Sequence, residues 1–173
     1  MNLLDLLDSV GGQKSLGSLA GNLGLDSSKA NDLVNALAPA LVGAFKKQTS
    51  SENGLEGFKN ALQSGKHQDY VDNPASMTSK ETVQDGNNIL GHLLGSKDVS
   101  RNVAAQAAAS TGIDVNLIKQ ALPLVAGLAM GAMSKKSNAG QSLDNSGSDL
   151  LSSLTGGDGI DVGDVLNLAK KFF

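Results

Sequence analysis

The stretch DVNLIKQALPLVAGLAMGAMSKK, residues 114–136, decides the fold of this chain. Residues 121–133 within it include no polar side chain, and a helix that is apolar on every side must be buried on every side. At about 1.5 Å per residue this run spans roughly 20 Å, whereas a membrane helix needs about 20 residues to cross the hydrocarbon core. The stretch therefore predicts a central core helix rather than a transmembrane segment.

The residues at both ends of this stretch are typical of helix boundaries. Gly112 can adopt the left-handed conformation that closes a preceding helix, and Asp114 can accept hydrogen bonds from the first free amides of the next one. Lys135 and Lys136 lie where the partial negative charge of a helix C-terminus favours cations. These signals predict one helix over about residues 114–136.

A second segment, residues 26–47, has the same order of features at an offset of 88 residues. Gly24 and Asp26 correspond to Gly112 and Asp114, an apolar run follows, and the segment ends on two lysines. A shorter amphipathic helix is predicted before each apolar one. The sequence thus predicts an internal helix-turn-helix duplication within an all-α globular bundle, whose two apolar core helices pack against each other.

Changes in composition divide the chain into three predicted parts. A helical core domain covers residues 1–136, and within it residues 65–84 are interpreted as a polar connection that crosses the surface in contact with solvent. Residues 137–147 are rich in Ser, Asn and Gly and predict a flexible linker. Residues 148–173 are predicted to form a C-terminal helical arm. Many of the 21 glycines lie inside helical patterns, where they allow close packing.

Composition and charge exclude several classes of function. The chain has no cysteine, which removes thiol catalysis, cysteine-based zinc sites and disulfides. A net charge of −3, a pI of about 5.2 and 3% aromatic residues argue against a nucleic-acid-binding surface. Residues 1–10 carry no Lys or Arg and so lack the basic region of a secretory signal. We expect a cytoplasmic protein.

His92 is the polar residue within an otherwise apolar helical pattern over residues 89–94. We favour a structural role, with the ring bonded to a backbone carbonyl or a helix end, over a role as ligand or general base. The other histidine, His67, lies in the polar connection, and neither has a recognisable metal-ligand or charge-relay spacing to a partner. We therefore predict no enzymatic activity, no metal and no cofactor.

The end of the chain predicts a docking arm. Residues 161–172 have apolar positions at helical spacing, and two of the five aromatic residues close the chain. An exposed apolar end is unusual in a soluble monomer, so the arm is expected to dock on its own core or on a neighbouring copy. We favour a homo-oligomer with exchanged arms. The docking residues named by this pattern are Val165, Leu166, Phe172 and Phe173.

Gly127 and Gly131 lie four residues apart in the apolar run and leave a flat strip on the predicted helix. Such a strip lets another helix approach closely. Ordinary packing within the chain is the favoured interpretation, because the pattern specifies dimers mainly in membrane helices; a dimer face is the alternative.

Residues 85–136 also carry a resemblance to a known family. An Asp-Gly-Asn at residues 85–87 is followed by ILGHLLGSKD at residues 89–98, an Ala-rich helix, Thr-Gly-Ile-Asp at residues 111–114 and the proline-bearing apolar helix. This order resembles the bacterial YidB-like family of small all-α proteins of uncharacterised function. The resemblance implies a helical fold and a bacterial source, and it carries over no catalytic or binding residue.

These observations leave three classes of function. We favour a non-catalytic helical interaction or self-assembly protein that binds copies of itself or other proteins. The alternative is a carrier of a small apolar ligand, or a membrane-peripheral binding protein, that uses a cavity or groove between the two apolar helices. An enzyme ranks third.

Overall fold

The computed structural model describes residues 3–63 and 66–138, and all of its regular elements are helical. The prediction of an all-α fold is confirmed. The α-helices of the described residues are α1 Leu3–Ser9, α2 Gln13–Leu23, α3 Ser27–Thr49, α4 Glu52–Gln63, α5 Asp69–Asp72, α6 Lys80–Leu94, α7 Lys97–Thr111 and α8 Val115–Asn138. Two 3₁₀ helices, Lys66–Gln68 and Pro74–Thr78, flank α5.

Helix α8 is the centre of the fold, as its apolar run predicts. Every residue from position 121 to position 134 is buried. The helix packs most extensively against α6 and also contacts α7, α5, α4, α2 and the first 3₁₀ helix. By length and composition Val115–Lys136 could cross a membrane, but 83% of its most apolar window is buried inside the fold. These neighbours cover the helix on all sides.

Helix α3 is buried on one side only, which corrects the expectation that its run is enclosed all round. Its buried side chains include Leu33, Val34, Leu37, Leu41 and Phe45. Pro39 and Gly43 are exposed instead, because the small residues of this run present too little apolar area to require cover on the outer side. The expected pairing with α8 is also only partly right: α3 packs mainly against α7 and has a limited contact with α8.

The predicted starts of the two apolar helices are confirmed, while each helix continues two residues beyond its predicted end. Gly24 and Gly112 both adopt the left-handed conformation, with φ of 65° and 69°. An Asp26 carboxylate oxygen accepts a hydrogen bond from the Lys29 amide at 2.8 Å, and Asp114 Oδ1 accepts one from the Asn116 amide at 2.8 Å. Each apolar helix therefore starts at a residue fixed by short-range chemistry.

The backbone supports the predicted duplication. Among the described residues, positive φ angles occur at Gly11, Gly24, Gly95 and Gly112 only. Gly11 and Gly24 lie on either side of α2, and Gly95 and Gly112 lie on either side of α7. Helix α7 has 15 residues and α2 has 11. We call α2 with α3 the first hairpin and α7 with α8 the second hairpin. The two hairpins pack across each other, since α3 contacts α7 and α8 contacts α2.

The structure corrects the expectation that residues 65–84 form a polar connection exposed to solvent. Its described part folds into the two 3₁₀ helices and α5, and α6 already begins at Lys80. Tyr70, Val71 and Met77 are buried, because the few apolar residues of this segment gather against the core. The buried Ser15 hydroxyl donates to the Val71 carbonyl at 3.0 Å and ties the segment to α2. It is therefore part of the core domain and not a solvated loop.

The predicted boundary between core and linker lies two residues too early. Residues 137 and 138, assigned to the linker, continue α8. The rest of the linker and the arm over residues 148–173 lie outside the described residues.

Candidate functional site

A groove of about 240 Å³ opens at the surface where α6, α7 and α8 meet. We call it the cationic groove, because three of its seven lining residues carry a positive charge in a chain whose net charge is −3. It is lined by Asn87 and Leu90 of α6, by Lys97, Ser100 and Arg101 of α7, and by Lys119 and Leu122 of α8.

Helical spacing places these side chains together. Lys97, Ser100 and Arg101 are three and four residues apart, so they share one face of α7. The Ser96 hydroxyl fixes the start of α7 by accepting a hydrogen bond from the Val99 amide at 3.3 Å. On the facing helices, two nearly buried leucines form the floor of the groove, with Leu90 5% and Leu122 2% exposed.

The electrostatics of the cationic groove favour an anion. Arg101 Nη1 lies 3.1 Å from Asp98 Oδ1, but both side chains are largely exposed and such a pair contributes little. Lys97 and Lys119 form no ion pair with any described residue. Lys97 is also the first residue of α7, where the partial positive charge of the helix N-terminus adds to its own.

A second, smaller cavity of about 60 Å³ lies between α2 and α3 in the first hairpin. Its lining includes Gln13 and Asn31, which correspond to Arg101 and Lys119 at the offset of 88 residues. At this offset two of the residues that line the small cavity correspond to residues of the cationic groove, so the two recesses overlap in place but differ in charge. Only the recess of the second hairpin has a cationic lining.

A buried polar cluster joins the connection to α6. The Tyr70 hydroxyl donates to Asp85 Oδ2 at 2.7 Å, and His67 Nδ1 lies 3.0 Å from the same oxygen. The buried His67 Nδ1 makes no hydrogen bond, so its contact with Asp85 is a close polar approach. Burial, followed by the hydrogen bond and charge of Asp85, raises the pKa of Tyr70 well above its usual value.

His67, which the sequence places in a connection in contact with solvent, is instead 6% exposed and lies beside Asp85. Sequence reasoning missed this cluster, and only the spacing of three between His67 and Tyr70 hinted that both share one side of a helical turn. Asp85 comes from a separate helix. The cluster fixes the connection on the core, as does a contact of the Gln68 side chain with Ser134 of α8.

His92 lies elsewhere and joins neither the groove nor the cluster. Its side chain is exposed in the last turn of α6. The expected bond from its ring to a backbone carbonyl or helix end is not formed with any described residue. The exposed ring is in contact with solvent, which can satisfy both ring nitrogens, so His92 suits a surface position without a further partner.

Gly127 and Gly131 are both buried within the chain. A Cβ atom at position 131 would lie 2.2 Å from the carbonyl oxygen of His67, and one at position 127 would lie 3.4 Å from the ring of Tyr70. The polar connection therefore packs against the strip formed by Gly127 and Gly131. Packing within the chain accounts for the strip.

The outer face of α3 consists of small apolar residues and is left open to solvent, while the exposed large hydrophobic residues among the described ones, Val83 and Val99, lie on α6 and α7. We define it by Ala36, Pro39, Ala40 and Gly43, of which Pro39 and Gly43 are exposed and the two alanines half-buried. The exposed Lys46 and Lys47 follow at its C-terminal end. The docking residues predicted from the arm, Val165, Leu166, Phe172 and Phe173, lie outside the described residues.

Comparison with known proteins identifies the family. The family described as bacterial protein of unknown function (DUF937) matches residues 5–136. The chain belongs to this family. The match covers the helical core domain and ends where the predicted linker begins, while the narrower YidB-like resemblance stays a prediction. No curated protein and no solved structure matches the chain.

Proposed function

We propose that this chain is a non-catalytic helical interaction protein that assembles with copies of itself. In the assembly, the C-terminal arm of one copy binds the outer face of α3 on another. The observation that carries this proposal is the difference between the two apolar helices, since α8 is covered on every side whereas α3 exposes Pro39 and Gly43. An apolar helix face left in water is a common mark of an interaction site.

The sequence of the arm fits this surface in shape and charge. Small residues on the α3 outer face let a second helix approach closely, and the arm offers large apolar residues ending in Phe172 and Phe173. Residues 148–164 contain four aspartates and no lysine or arginine, whereas Lys46 and Lys47 border the face. Opposite charges at the border favour binding and fix its direction.

The linker is long enough for exchange between copies. Residues 139–147 separate the end of α8 from the predicted arm, and a flexible chain of that length has a root-mean-square span of roughly 15 to 18 Å. Fully extended, it reaches roughly 30 Å, about the diameter of a small domain. Identical subunits can therefore exchange arms without distortion of either core.

The alternative function, a carrier or membrane-peripheral protein with an opening between the two apolar helices, has less support. An opening between α3 and α8 would need these two helices to face each other. Instead α8 packs mainly against α6, and α3 packs mainly against α7. The absence of cysteine and the engagement of His67, Tyr70 and Asp85 with one another favour a non-catalytic role.

Light scattering on the full chain and on a chain truncated after Lys136 tests the proposal. We expect a mass well above 17.6 kDa for the full chain and a monomer mass for the truncated one. The same number of subunits in both, with the same melting temperature, would contradict a role for the arm.

A pair of glycine variants separates binding to the α3 outer face from other effects of the arm. Gly43→Glu places a charge on this face, and its side chain would meet open space in the free chain. Gly57→Glu is the matched control in α4, exposed and equally unhindered. We expect only Gly43→Glu to abolish assembly. An oligomer that tolerates Gly43→Glu as well as Gly57→Glu would show that the arm binds elsewhere.

A further inference from the structure

We propose that the cationic groove between α6, α7 and α8 binds a small amphipathic anion, that is, a phosphate or carboxylate group on a short apolar body. This site is separate from the α3 outer face and does not depend on assembly. Lys97, Arg101 and Lys119 hold the anionic group, and Leu90 and Leu122 contact the apolar body.

The cations that line the groove are not balanced by acidic residues of the lining. Residues 1–138 contain 12 acidic and 12 basic residues, yet the lining of the groove contains three cations and no Asp or Glu. Like charges gathered around a concave surface raise the local concentration of anions. The Asp98 carboxylate that approaches Arg101 is exposed and outside the lining, so it competes weakly with a ligand.

Two helices deliver cations close to their N-terminal ends. Lys97 begins α7, a helix of 15 residues, and Lys119 lies in the second turn of α8, a helix of 24 residues. Partial positive charge at such ends stabilises bound anions, and backbone amides there can donate hydrogen bonds. The Ser100 hydroxyl donates to the Ser96 carbonyl at 3.5 Å, and the side-chain amide of Asn87 adds a neutral donor at the edge of the groove.

The floor and the volume define the rest of the ligand. Leu90 and Leu122 leave an apolar floor, which a bare hydrated anion does not need. The groove measures about 240 Å³, and one water molecule occupies about 30 Å³ of liquid, so roughly eight to ten non-hydrogen atoms fit. An anionic head group with a tail of four to six carbons, on the order of this volume, fits the groove.

The first hairpin serves as an internal comparison. Gln13 and Asn31 occupy the positions that correspond to Arg101 and Lys119, and the cavity there is about 60 Å³. Both hairpins therefore fold with a recess, but folding does not require cations at its edge. The charges of the second hairpin are thus better explained by a ligand than by the helix-turn-helix packing that both hairpins share.

The experiment measures binding to the full chain by calorimetry with four probes: butyl phosphate, hexanoate, inorganic phosphate and butanol. We expect butyl phosphate or hexanoate to bind more tightly than inorganic phosphate, with an affinity that falls as salt is added. Which of the two binds more tightly identifies the anionic group. Butanol should not bind measurably.

The double variant Arg101→Gln with Lys119→Asn gives the second hairpin the residues of the first. Because hydrogen bonds to charged groups are strong, we expect it to weaken binding by about tenfold or more. Lys29→Gln, an exposed lysine in the first turn of α3, is the control and should leave binding unchanged. Arg101, Lys119 and Lys29 are all exposed, and a thermal melt verifies the folding of each variant.

Three results would overturn the proposal. The first is no binding by either amphipathic anion at millimolar concentration, and the second is equal binding by the double variant and the control. The third is binding of inorganic phosphate as tight as that of butyl phosphate, which would remove the role of the apolar floor. Light scattering on the same samples separates these outcomes from any failure of assembly.

Discussion

The contact between α6 and α8 provides the sharpest test of the fold, at Gly86. A Cβ atom at this position would lie 2.0 Å from the carbonyl oxygen of Pro123 and 2.5 Å from its carbonyl carbon. Real Cβ atoms essentially never come closer than 3.0 Å to such atoms. Gly86→Ala therefore requires two backbones to separate by roughly 1 Å, at the most extensive helix contact among the described residues.

The size of the effect follows from two opposing contributions. Alanine stabilises a helix interior by about 0.5 to 1 kcal/mol relative to glycine, while overpacking of a core costs about 1 to 3 kcal/mol. Because the clash is with backbone atoms, which cannot change rotamer, we take the upper end and expect Gly86→Ala to lose about 2 kcal/mol. Gly91→Ala is the control in the same helix, where the added methyl group meets open space. It should gain up to about 1 kcal/mol.

Thermal and urea denaturation followed by circular dichroism measure this difference. For a chain of this size 1 kcal/mol corresponds to about 2 to 4 °C, so the melting temperatures of the two variants should differ by about 6 to 12 °C. Equal stability of Gly86→Ala and Gly91→Ala would refute the close approach of α6 to Pro123. A difference of the opposite sign would do so as well.

Three further predictions concern the core, the polar cluster and activity. Val125→Asp places a charge at a position that is 1% exposed and should abolish cooperative thermal melting; a soluble variant with a sharp melt would contradict the burial of α8. The pKa of Tyr70 is raised, so the stability that neutral Tyr70 contributes is present below about pH 10 and is lost as pH rises towards the raised pKa. Melts between pH 8 and 11 should fall more steeply for the wild type than for Tyr70→Phe, and parallel curves would count against the buried hydroxyl. A broad screen of hydrolase and oxidoreductase substrates should give no turnover; turnover that His67→Ala or Asp85→Asn removes would show that the polar cluster is catalytic.

The elements that could be predicted from the sequence are those fixed by neighbouring residues. Asp26 and Asp114 accept hydrogen bonds from amides three and two residues away, respectively, and Gly24 and Gly112 close the preceding helices in the left-handed conformation. The central position of α8 was also predictable, because a helix that is apolar on every side is buried on every side in a globular fold. Helix boundaries and the core helix therefore follow from local chemistry and composition.

The partners of each helix could not be predicted in this way. The apolar run of residues 121–133 requires cover but does not specify which helix provides it, and Gly86 shows its role only once Pro123 lies opposite. The connection was misjudged because its buried residues are few and scattered among polar ones. His67 and Asp85 meet across 18 positions of the sequence, and no spacing rule joins them.

The candidate site was predictable only in part for the same reason. Lys97 and Arg101 share a helix face by their spacing, but Lys119 and the leucine floor reach the groove through the packing of α8 and α6. The correspondence of Arg101 and Lys119 with Gln13 and Asn31 could be compared only after both recesses had been located in the structure.

The cross-packing of the two hairpins has a consequence for synthesis on the ribosome. Helix α3 is complete at Thr49, but α7, its main partner, ends at Thr111, about 60 residues later. At a synthesis rate of roughly 5 to 20 residues per second, α7 is completed about 3 to 12 s after α3. During that interval α3 can pack against α1, α2 and α4, its described partners in the N-terminal half. The contacts of its α7-facing side are therefore expected to form only after the C-terminal half has emerged.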